Sequence, residues 1–382
     1  MTAIKTAHGK MGHGMGTEPV EPDWAPLTED EAERILRRYP GTGRCHRLAW
    51  HSPRPFSSAA IVETDAGPLF VKRSHRRIRD VAGLGEEHDF VAHLRRAGAP
   101  VSKLLADKTG ATALADGDWI YEVQPLGAGE DLYRDALSWS PFQSTGHAYE
   151  AGRALAELHR AAAGYEAPPR RAATLVTSFT LMRSPDPLRA IAAYAAARPA
   201  LAGYLGSRDW RAEIARSVLP FHRRLLPFID RLAPLWTHND WHASNLLWRD
   251  GKVSAVLDFG LADRTCALHD LATAIERNIV RWLDLPSARA DVVDYPALDA
   301  LLDGYRALTP LAEWEIEALA ALLPVVHVEF ALNETDYFLG VLGALDRADL
   351  AYEAYLLGHA DWFAGAQGQK LLAHLRKAHV RA

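Results

Sequence analysis

The sequence predicts an α+β fold with two lobes, a small N-terminal lobe rich in β-strands and a larger, mostly helical C-terminal lobe. Helical and strand patterns alternate up to about residue 124, and helical patterns dominate beyond it. The 382 residues, 48% of them hydrophobic, suffice for two or three domains or lobes with a large buried core. We therefore expect an N-terminal lobe over 23–124 and a C-terminal lobe over 125–382.

The segment 1–22 precedes the first predicted helix. It carries three of the four methionines and several glycines, and it shows no hydrophobic period. We expect a disordered tail here, in preference to a weak metal site at His8 and His13.

The N-terminal lobe should begin with a helix and a hairpin. In "LTEDEAERILRRY", Thr28 is suited to cap a helix and Glu31 to complete a capping box. The runs "SSAAIVET" and "GPLFVKR" are separated by the turn "DAG", which predicts a β-hairpin. A helix should follow in "GLGEEHDFVAHLRRAGAPV", where Phe90 and Leu94 share a face, and "VSKLLAD" and "DWIYEVQPL" predict two more strands.

The C-terminal lobe should contain one long amphipathic helix, one hairpin and many further helices. "TGHAYEAGRALAELHRAAAGY" predicts the long helix. "NLLWRDGKVSAVLDFG" predicts a hairpin that turns on Asp250 and Gly251. From Leu268 onward the patterns indicate at least four helices, including "ALLPVVHVEFALNETDYFLG".

Composition argues against several classes of function. The formal net charge is −5, and the 43 basic and 48 acidic residues are spread along the chain, so we expect no nucleic-acid partner. The two cysteines, Cys45 and Cys266, lie far apart, which indicates a reducing compartment without a disulfide framework. The sequence shows no signal-peptide pattern and no run of about 18 apolar residues, so we expect a cytoplasmic protein without a membrane partner.

The stretch "WTHNDWHASNLLW" carries the most concentrated chemistry. Asp240 and Asn245 lie five residues apart, and Asp258 follows at the far end of the predicted hairpin, which should bring it back beside them. Phosphoryl transfer needs a carboxylate to accept the proton of the attacking hydroxyl and hard oxygen ligands for magnesium. A zinc cluster is disfavoured because His242 has only His238 near it at ligand spacing, so we interpret His242 as packing or polar support.

These residues resemble a known pair of motifs. His238, Asn239, Asp240 and Asn245, followed by "DFG" from Asp258, are similar to elements shared by protein kinases and by the aminoglycoside phosphotransferase and choline kinase group. The resemblance covers about residues 30–340. It implies a protein-kinase-like two-lobe fold with ATP and Mg²⁺ as cofactors. It also implies that Asp240 is the catalytic base, that Asn245 and Asp258 hold magnesium, and that His238 supports the loop.

The same resemblance indicates nucleotide-binding residues in the smaller lobe. Lys72, one of only eight lysines, ends a strand and would reach the phosphates, and Glu87 on the next helix would hold it, with Glu86 as the alternative. "WIYEVQPLGAG" occupies the position of the hinge, where backbone groups of Glu122, Val123 and Gln124 would bind adenine and Gly127 would begin the larger lobe. Phosphate contacts are assigned to Ser57 and Ser58, at the turn before "AAIVET".

Two departures from the family patterns bear on loop conformation and substrate. Asn239 stands where small-molecule kinases usually have glycine, and asparagine best tolerates a left-handed backbone after glycine. Only nine residues separate Gly260 from Asp270, too few for the activation segment that holds a peptide. We therefore expect a kinase that phosphorylates a hydroxyl of a small molecule. The alternatives are a bacterial Ser/Thr protein kinase and a nucleotide-binding protein without catalysis.

The acceptor should contact late helices that face Asp240. Glu329, Asn333 and Asp336 recur at helical spacing in an apolar segment, which predicts either pocket lining for an amine or structural hydrogen bonds. Arg277 and Arg281 suit a carboxylate or phosphate, although surface salt bridges are the simpler interpretation of both. Trp241, beside the base, is assigned either to packing or to the acceptor wall. An amino alcohol, an aminoglycoside, homoserine or a sugar would fit these features.

Overall fold

The computed structural model describes residues 12–13, 19–171, 174–285 and 291–377. Most of the predicted tail, including His8, lies outside these ranges, and of His13 only the backbone is described. Within the tail, β1 (Gly12–His13) pairs antiparallel with β2 (Pro19–Val20).

The smaller lobe is organised around a five-stranded antiparallel sheet. In spatial order its strands are β3 (Cys45–His51), β4 (Ser58–Thr64), β5 (Gly67–His75), β7 (Trp119–Pro125) and β6 (Leu114–Asp116). Two helices accompany the sheet, α1 (Glu29–Leu36) and α2 (Val81–Arg96). One apolar core joins α1 to the sheet, so this lobe has its own hydrophobic centre.

Local sequence signals predicted much of this lobe. Thr28 caps α1 and forms the expected capping box with Glu31. The β4–β5 hairpin and α2 are also confirmed. The strand predicted from "VSKLLAD" is wrong, because Val101 makes only an isolated bridge to Val256 and the Leu105 amide donates to the Val123 carbonyl at 2.8 Å. This segment therefore crosses from α2 to the sheet without joining a ladder.

The larger lobe is mostly helical. Its first helices are α3 (Thr145–Ala162), α4 (Pro187–Ala196), α5 (Pro199–Gly206), α6 (Trp210–Ser217) and α7 (Leu219–Leu225). After the two small sheets described below come α8 (Ala267–Asn278), α9 (Tyr295–Arg306), α10 (Glu313–Leu322), α11 (Val328–Tyr337), α12 (Leu345–Asp349), α13 (Gly358–Ala364) and α14 (Ala366–Lys377). Two π-helical segments, Phe338–Leu342 and Leu350–Leu357, follow α11 and α12.

Two small antiparallel sheets separate α7 from α8. β8 (Leu235–Thr237) pairs with β11 (Asp263–Thr265), and β9 (Leu246–Arg249) pairs with β10 (Lys252–Val256). The predicted hairpin is confirmed: Asp250 and Gly251 form its turn with φ of 52° and 72°, as a tight hairpin turn requires.

Helices α3 and α9 pack against each other through glycines. A Cβ atom added at Gly152 would lie 2.0 Å from the Leu301 carbonyl oxygen, and one at Gly304 would lie 1.9 Å from the Tyr149 carbonyl oxygen. The two backbones can therefore approach only because both positions lack a side chain. None of the described helices combines the length and apolar character needed to cross a membrane.

Candidate active site

The loop after β8 is held by a buried carboxylate. The backbone amides of His238 and Asn239 donate to the two oxygens of Asp270, at 2.9 and 2.8 Å. Asp270 lies in the first turn of α8 and is also bonded to His159 Nε2 of α3, at 3.1 Å. Burial opposes ionisation of Asp270, but the hydrogen bond and charge of His159 and the His238 amide lower its pKa below the usual value. Three separate elements thus fix the loop backbone.

Asn239 adopts the left-handed conformation expected of it. Its φ is +61°, a region that asparagine tolerates better than most residues. Its side-chain oxygen accepts from the hydroxyls of Thr237 and Thr265, at 2.9 and 3.2 Å. The asparagine therefore supplies both the backbone conformation and a buried tie between β8 and β11.

His238 joins the loop to the end of the following hairpin. Its Nε2 lies 2.8 Å from the Leu257 carbonyl oxygen, and its Nδ1 lies 3.2 Å from the Asp240 amide. The Leu257 amide in turn donates to the Asn245 carbonyl at 2.8 Å. These bonds set Asp258 beside the loop that carries Asp240.

The Asp240 carboxylate is ionised and partly accessible, with 19% of its side chain exposed. Asn245 Nδ2 donates to it at 3.2 Å, His242 Nε2 lies at 3.4 Å and an Arg277 nitrogen at 4.0 Å. Burial alone would raise the pKa of Asp240, but His242 and the Arg277 charge hold it well below its usual range. Burial lowers the pKa of His242, Asp240 opposes this shift, and the His242 Nδ1 lies 2.8 Å from the Ser244 hydroxyl, so this ring serves as the polar support predicted for it.

Lys72 lies between two carboxylates. Its ammonium is 2.9 Å from Asp258 Oδ1 and 3.9 Å from Glu122 Oε1, while Glu122 is bonded to His88 at 3.0 Å. Burial opposes the charge on Lys72, yet these two carboxylates raise its pKa above the usual value.

The expected pair between Lys72 and Glu87 does not form within the described residues. Glu87 pairs instead with Arg170, at 3.3 Å. Arg170 also donates to the Gly83 and Gly260 carbonyls, both at 3.0 Å, so it ties α2 to the segment after Asp258. The alternative residue, Glu86, lies in an exposed ion pair with Arg171.

Asp258 and Asn245 offer oxygen atoms that suit a hard cation. Asp258 is 42% exposed at its side chain, and one of its oxygens accepts from Lys72 and from the Gly260 amide. The side-chain nitrogen of Asn245 donates to Asp240, which leaves the side-chain oxygen Oδ1 of Asn245 for another partner. A carboxylate and an amide oxygen are the donors that Mg²⁺ prefers, so the residues present fit the ion.

A cleft between the lobes leads to Lys72, Asn245 and Asp258. Apolar residues of the sheet and of the larger lobe line its two sides, and its back wall runs from Gln124 to Gly127; the apolar lining includes Ala59, Ile61, Phe70, Leu247 and Leu257. The hinge assignment needs a correction at Val123, which is buried and whose carbonyl already accepts from Leu105. Glu122 reaches the cleft through its side chain.

Two serines at the turn before β4 were expected to contact phosphate, and the structure places them differently. Ser57 lines the cleft, but the Ser58 hydroxyl is buried and accepts from the Leu27 amide at 2.9 Å, so Ser58 has a structural role. Arg54, in the same turn, lines the cleft and donates to the Ser244 hydroxyl at 2.7 Å. Sequence reasoning missed Arg54, although it is the one basic residue in the turn between β3 and β4.

A second cavity is lined by Asp240, and it shares Lys72, Asn245 and Asp258 with the cleft. Its polar lining includes Arg277 and Glu334, and its aromatic lining includes Trp139 and Phe330. The Arg277 guanidinium is buried and lies 4.0 Å from the centre of the Trp139 ring, so a surface salt bridge is excluded for this residue. Burial raises the pKa of Glu334 to about 8, the nearby Asp240 adds to that, and Arg277 opposes it.

Most other predicted acceptor contacts have structural roles. Glu329 accepts from the amides of Thr180 and Leu181, and Asn333 accepts from the Leu175 amide. Asp336 lies 3.8 Å from Arg198. These two acids and one amide hold neighbouring segments of the chain, so they are not acceptor contacts.

For Trp241 and Arg281 the structural alternative holds. Trp241 is fully buried, packs edge-on against His238 and lines neither cavity in the described part of the chain. Arg281 forms a surface ion pair with Asp284 at 3.1 Å. Trp139 and Phe330 contribute to the aromatic wall of the second cavity, and neither was predicted from the sequence.

Comparison with known proteins identifies the family. The phosphotransferase enzyme family matches residues 56–311, more than half of the chain. The chain belongs to this family. Its members are kinases and phosphotransferases that act on hydroxyl groups of small molecules, so the prediction of such an enzyme is confirmed.

Individual relatives of this phosphotransferase are distant. A homoserine kinase from Chelativorans sp. (strain BNC1) is 24% identical over 325 residues, covering 81% of this chain and 86% of that protein. A microcompartment-associated aminopropanol kinase has a TM-score of 0.56 at 14% identity, over 91% of this chain and 98% of its own. An amicoumacin kinase, solved with AMP-PNP and Ca²⁺, has a TM-score of 0.54 at 14% identity over 93% and 94%. These likenesses confirm the predicted two-lobe, protein-kinase-like fold.

Proposed function

We propose that this phosphotransferase transfers the γ-phosphate of ATP, as its magnesium complex, to a hydroxyl of a small amino alcohol that also carries an anionic group. The observation that carries the proposal is the position of Asp240 in a cavity that shares Lys72, Asn245 and Asp258 with the cleft between the lobes. The same cavity also presents Arg277 and Glu334. Phosphate donor and hydroxyl acceptor can thus meet at Asp240.

Asp240 would orient the acceptor hydroxyl and take its proton as the phosphate is transferred. A low pKa keeps the carboxylate ready to accept a hydrogen bond at neutral pH, and Asn245 holds its orientation. Lys72 would exchange part of its contact with Asp258 for the nucleotide phosphates. Asp258 and Asn245 would hold magnesium, which neutralises phosphate charge when bound.

The charges of the second cavity support the choice of acceptor. Arg277 provides a fixed cation on one side of Asp240, and Arg347 also lines this cavity. Both would repel an acceptor with many amines, whereas a single carboxylate or phosphate would pair with Arg277. Glu334 is available for one amine. Homoserine has this combination, and the similarity to a homoserine kinase supports testing it first.

A turnover assay with variants of Asp240 and Asp258 tests the proposal. Asp240→Asn should lower kcat by about 100-fold to 10,000-fold with homoserine, because the base is lost, while magnesium-dependent ATP binding stays near the wild-type value. Asp258→Ala should instead remove magnesium-dependent ATP binding in calorimetry. The exposed Asp230→Asn serves as a matched control and should behave as wild type.

An acceptor panel completes the test. It should include homoserine, other amino alcohols, neutral sugars, aminoglycosides and a generic protein. Faster turnover with a polycationic aminoglycoside than with any anionic amino alcohol would refute the choice of acceptor. Phosphorylation of the protein, with none of the small acceptors used, would replace the proposal with a protein kinase.

A further inference from the structure

Glu276, His327 and His359 form a buried cluster apart from the magnesium ligands. Glu276 belongs to α8, His327 directly precedes α11 and His359 lies in α13. One potential ligand atom from each of the three residues lies within 4.8 Å of the other two. Glu276 is 1% exposed and His327 is 2% exposed, so both side chains have lost their contact with water.

His327 presents an unpaired nitrogen atom to this cluster. Its Nε2 lies 3.0 Å from the Leu356 carbonyl oxygen, a contact that places the ring proton on Nε2. The lone pair is then on Nδ1, which is buried and has no hydrogen-bond partner among the described residues. Buried polar atoms without a partner are rare and call for an explanation, such as a bound ion.

The other two residues are oriented toward the same point. His359 Nδ1 lies 2.9 Å from Glu276 Oε1, and its ring stacks on Trp282 with 3.5 Å between ring centres. The second oxygen of Glu276 faces Arg277, whose Nε lies 3.5 Å away. Glu276 Oε1 is therefore the oxygen on the side of the cluster, and a bound ion would replace its present contact with His359 Nδ1.

We propose that Glu276, His327 and His359 form a binding site for one zinc-like divalent transition-metal ion. Two imidazole nitrogens and one carboxylate oxygen suit such ions, whereas the oxygen donors Asn245 and Asp258 suit magnesium. The hydrogen bond from His327 Nε2 to a backbone carbonyl is the support that metal-binding histidines usually have. Three protein ligands leave a coordination position open for water or another small ligand.

The site would connect the C-terminal helices to the reaction centre. His327 and His359 both lie beyond residue 311, where the match to the family ends. Glu276 directly precedes Arg277, which lines the acceptor cavity, and α8 also carries Asp270. A bound ion would fix α8 to α13. The positive charge of Arg277 opposes the ion, but Arg277 extends from Glu276 toward Asp240 and Trp139.

Metal content and zinc titration of the full-length protein test this proposal without reference to activity. In excess magnesium, which occupies the oxygen ligands, wild type should hold one zinc ion per chain by elemental analysis after treatment with metal and desalting. His327→Gln keeps a donor for the Leu356 carbonyl but removes the metal-binding nitrogen. This variant should bind zinc at least about 100-fold more weakly in a competition titration with a chromogenic chelator.

His269→Gln is the matched control. His269, in α8, is buried as well, and its Nδ1 has no hydrogen-bond partner within the part of the chain that the structure describes. It does not belong to the cluster found there, so this variant should retain one zinc ion. His359→Gln should reproduce the loss seen in His327→Gln, and circular dichroism should show that both variants are folded. Wild type that takes up no zinc, or equal zinc binding in wild type and His327→Gln, would overturn the proposal.

Discussion

Replacing Asp270 by asparagine should strongly destabilise the protein, because this carboxylate holds the loop that carries Asp240. Its two oxygens accept from the amides of His238 and Asn239, at 2.9 and 2.8 Å, and one also bonds to His159. Asparagine has nearly the same size but only one accepting oxygen. Its amide group must therefore face at least one backbone donor that it cannot bind.

The magnitude follows from these contacts. Losing one hydrogen bond to a charged acceptor costs about 1.5–3 kcal/mol, and leaving a buried donor unpaired costs about 1–3 kcal/mol. We therefore expect the free energy of unfolding to fall by about 3–5 kcal/mol, out of the roughly 5–15 kcal/mol typical of a folded domain. kcat should fall as well, because the displaced loop carries Asp240.

Urea unfolding monitored by circular dichroism measures the effect. Asp230→Asn, an exposed substitution of the same chemistry, should change the free energy of unfolding by no more than about 0.5 kcal/mol. The folded state lowers the pKa of Asp270, so its contribution is present above the unfolded pKa of about 3.9 and is lost as the pH falls further. The free energies of unfolding of wild type and Asp270→Asn should thus converge as the pH falls below about 4. A loss under about 1 kcal/mol at pH 7 would refute this reasoning.

Two further predictions concern packing and ionisation. Gly152→Ala should lower the free energy of unfolding in urea by about 3 kcal/mol or more, because its Cβ would meet the Leu301 backbone. Gly203→Ala, in open space within α5, should instead raise it by about 0.5–1 kcal/mol. Equal effects of the two substitutions would contradict the packing argument. The raised pKa of Glu334, about 8, means that the folded state keeps a proton that the unfolded chain loses near pH 4.5, so wild-type stability should fall as pH rises from 5 to 8. This fall in the free energy of unfolding is on the order of 1.4 kcal/mol per pH unit at most, and Glu334→Gln should remove it. Identical pH dependence of stability in wild type and Glu334→Gln would refute the prediction.

The sequence predicted the elements and residues whose signals are local. The capping box at Thr28, the hairpin turn at Asp250 and the left-handed Asn239 each depend on neighbours within a few residues. The same holds for the return of Asp258 to the loop of Asp240, because a hairpin of known length fixes that approach. These features do not depend on contacts with distant segments of the chain.

Contacts between distant segments could not be predicted in this way. Glu87 of the smaller lobe forms an ion pair with Arg170 of the larger lobe. The expected ion pair between Glu87 and Lys72 therefore does not form in the described part of the chain. Asp270 was recognisable only as the start of a helix, although it fixes the loop that carries Asp240. Spacing along the chain locates residues that act together within one loop, but it carries no information about a partner more than 80 positions away, such as Arg170 for Glu87.

Helix α11 shows what periodicity alone leaves open. Glu329 and Asn333 share one face, as their spacing predicts, and that face holds the segment from Leu175 to Leu181. Glu334 lies five residues after Glu329, about 140° around the helix. This second face lines the second cavity, which also contains Asp240. The pattern correctly indicates which residues lie together. The direction of each face is set by packing against the rest of the chain, so the acid that lines the second cavity was found only in the folded structure.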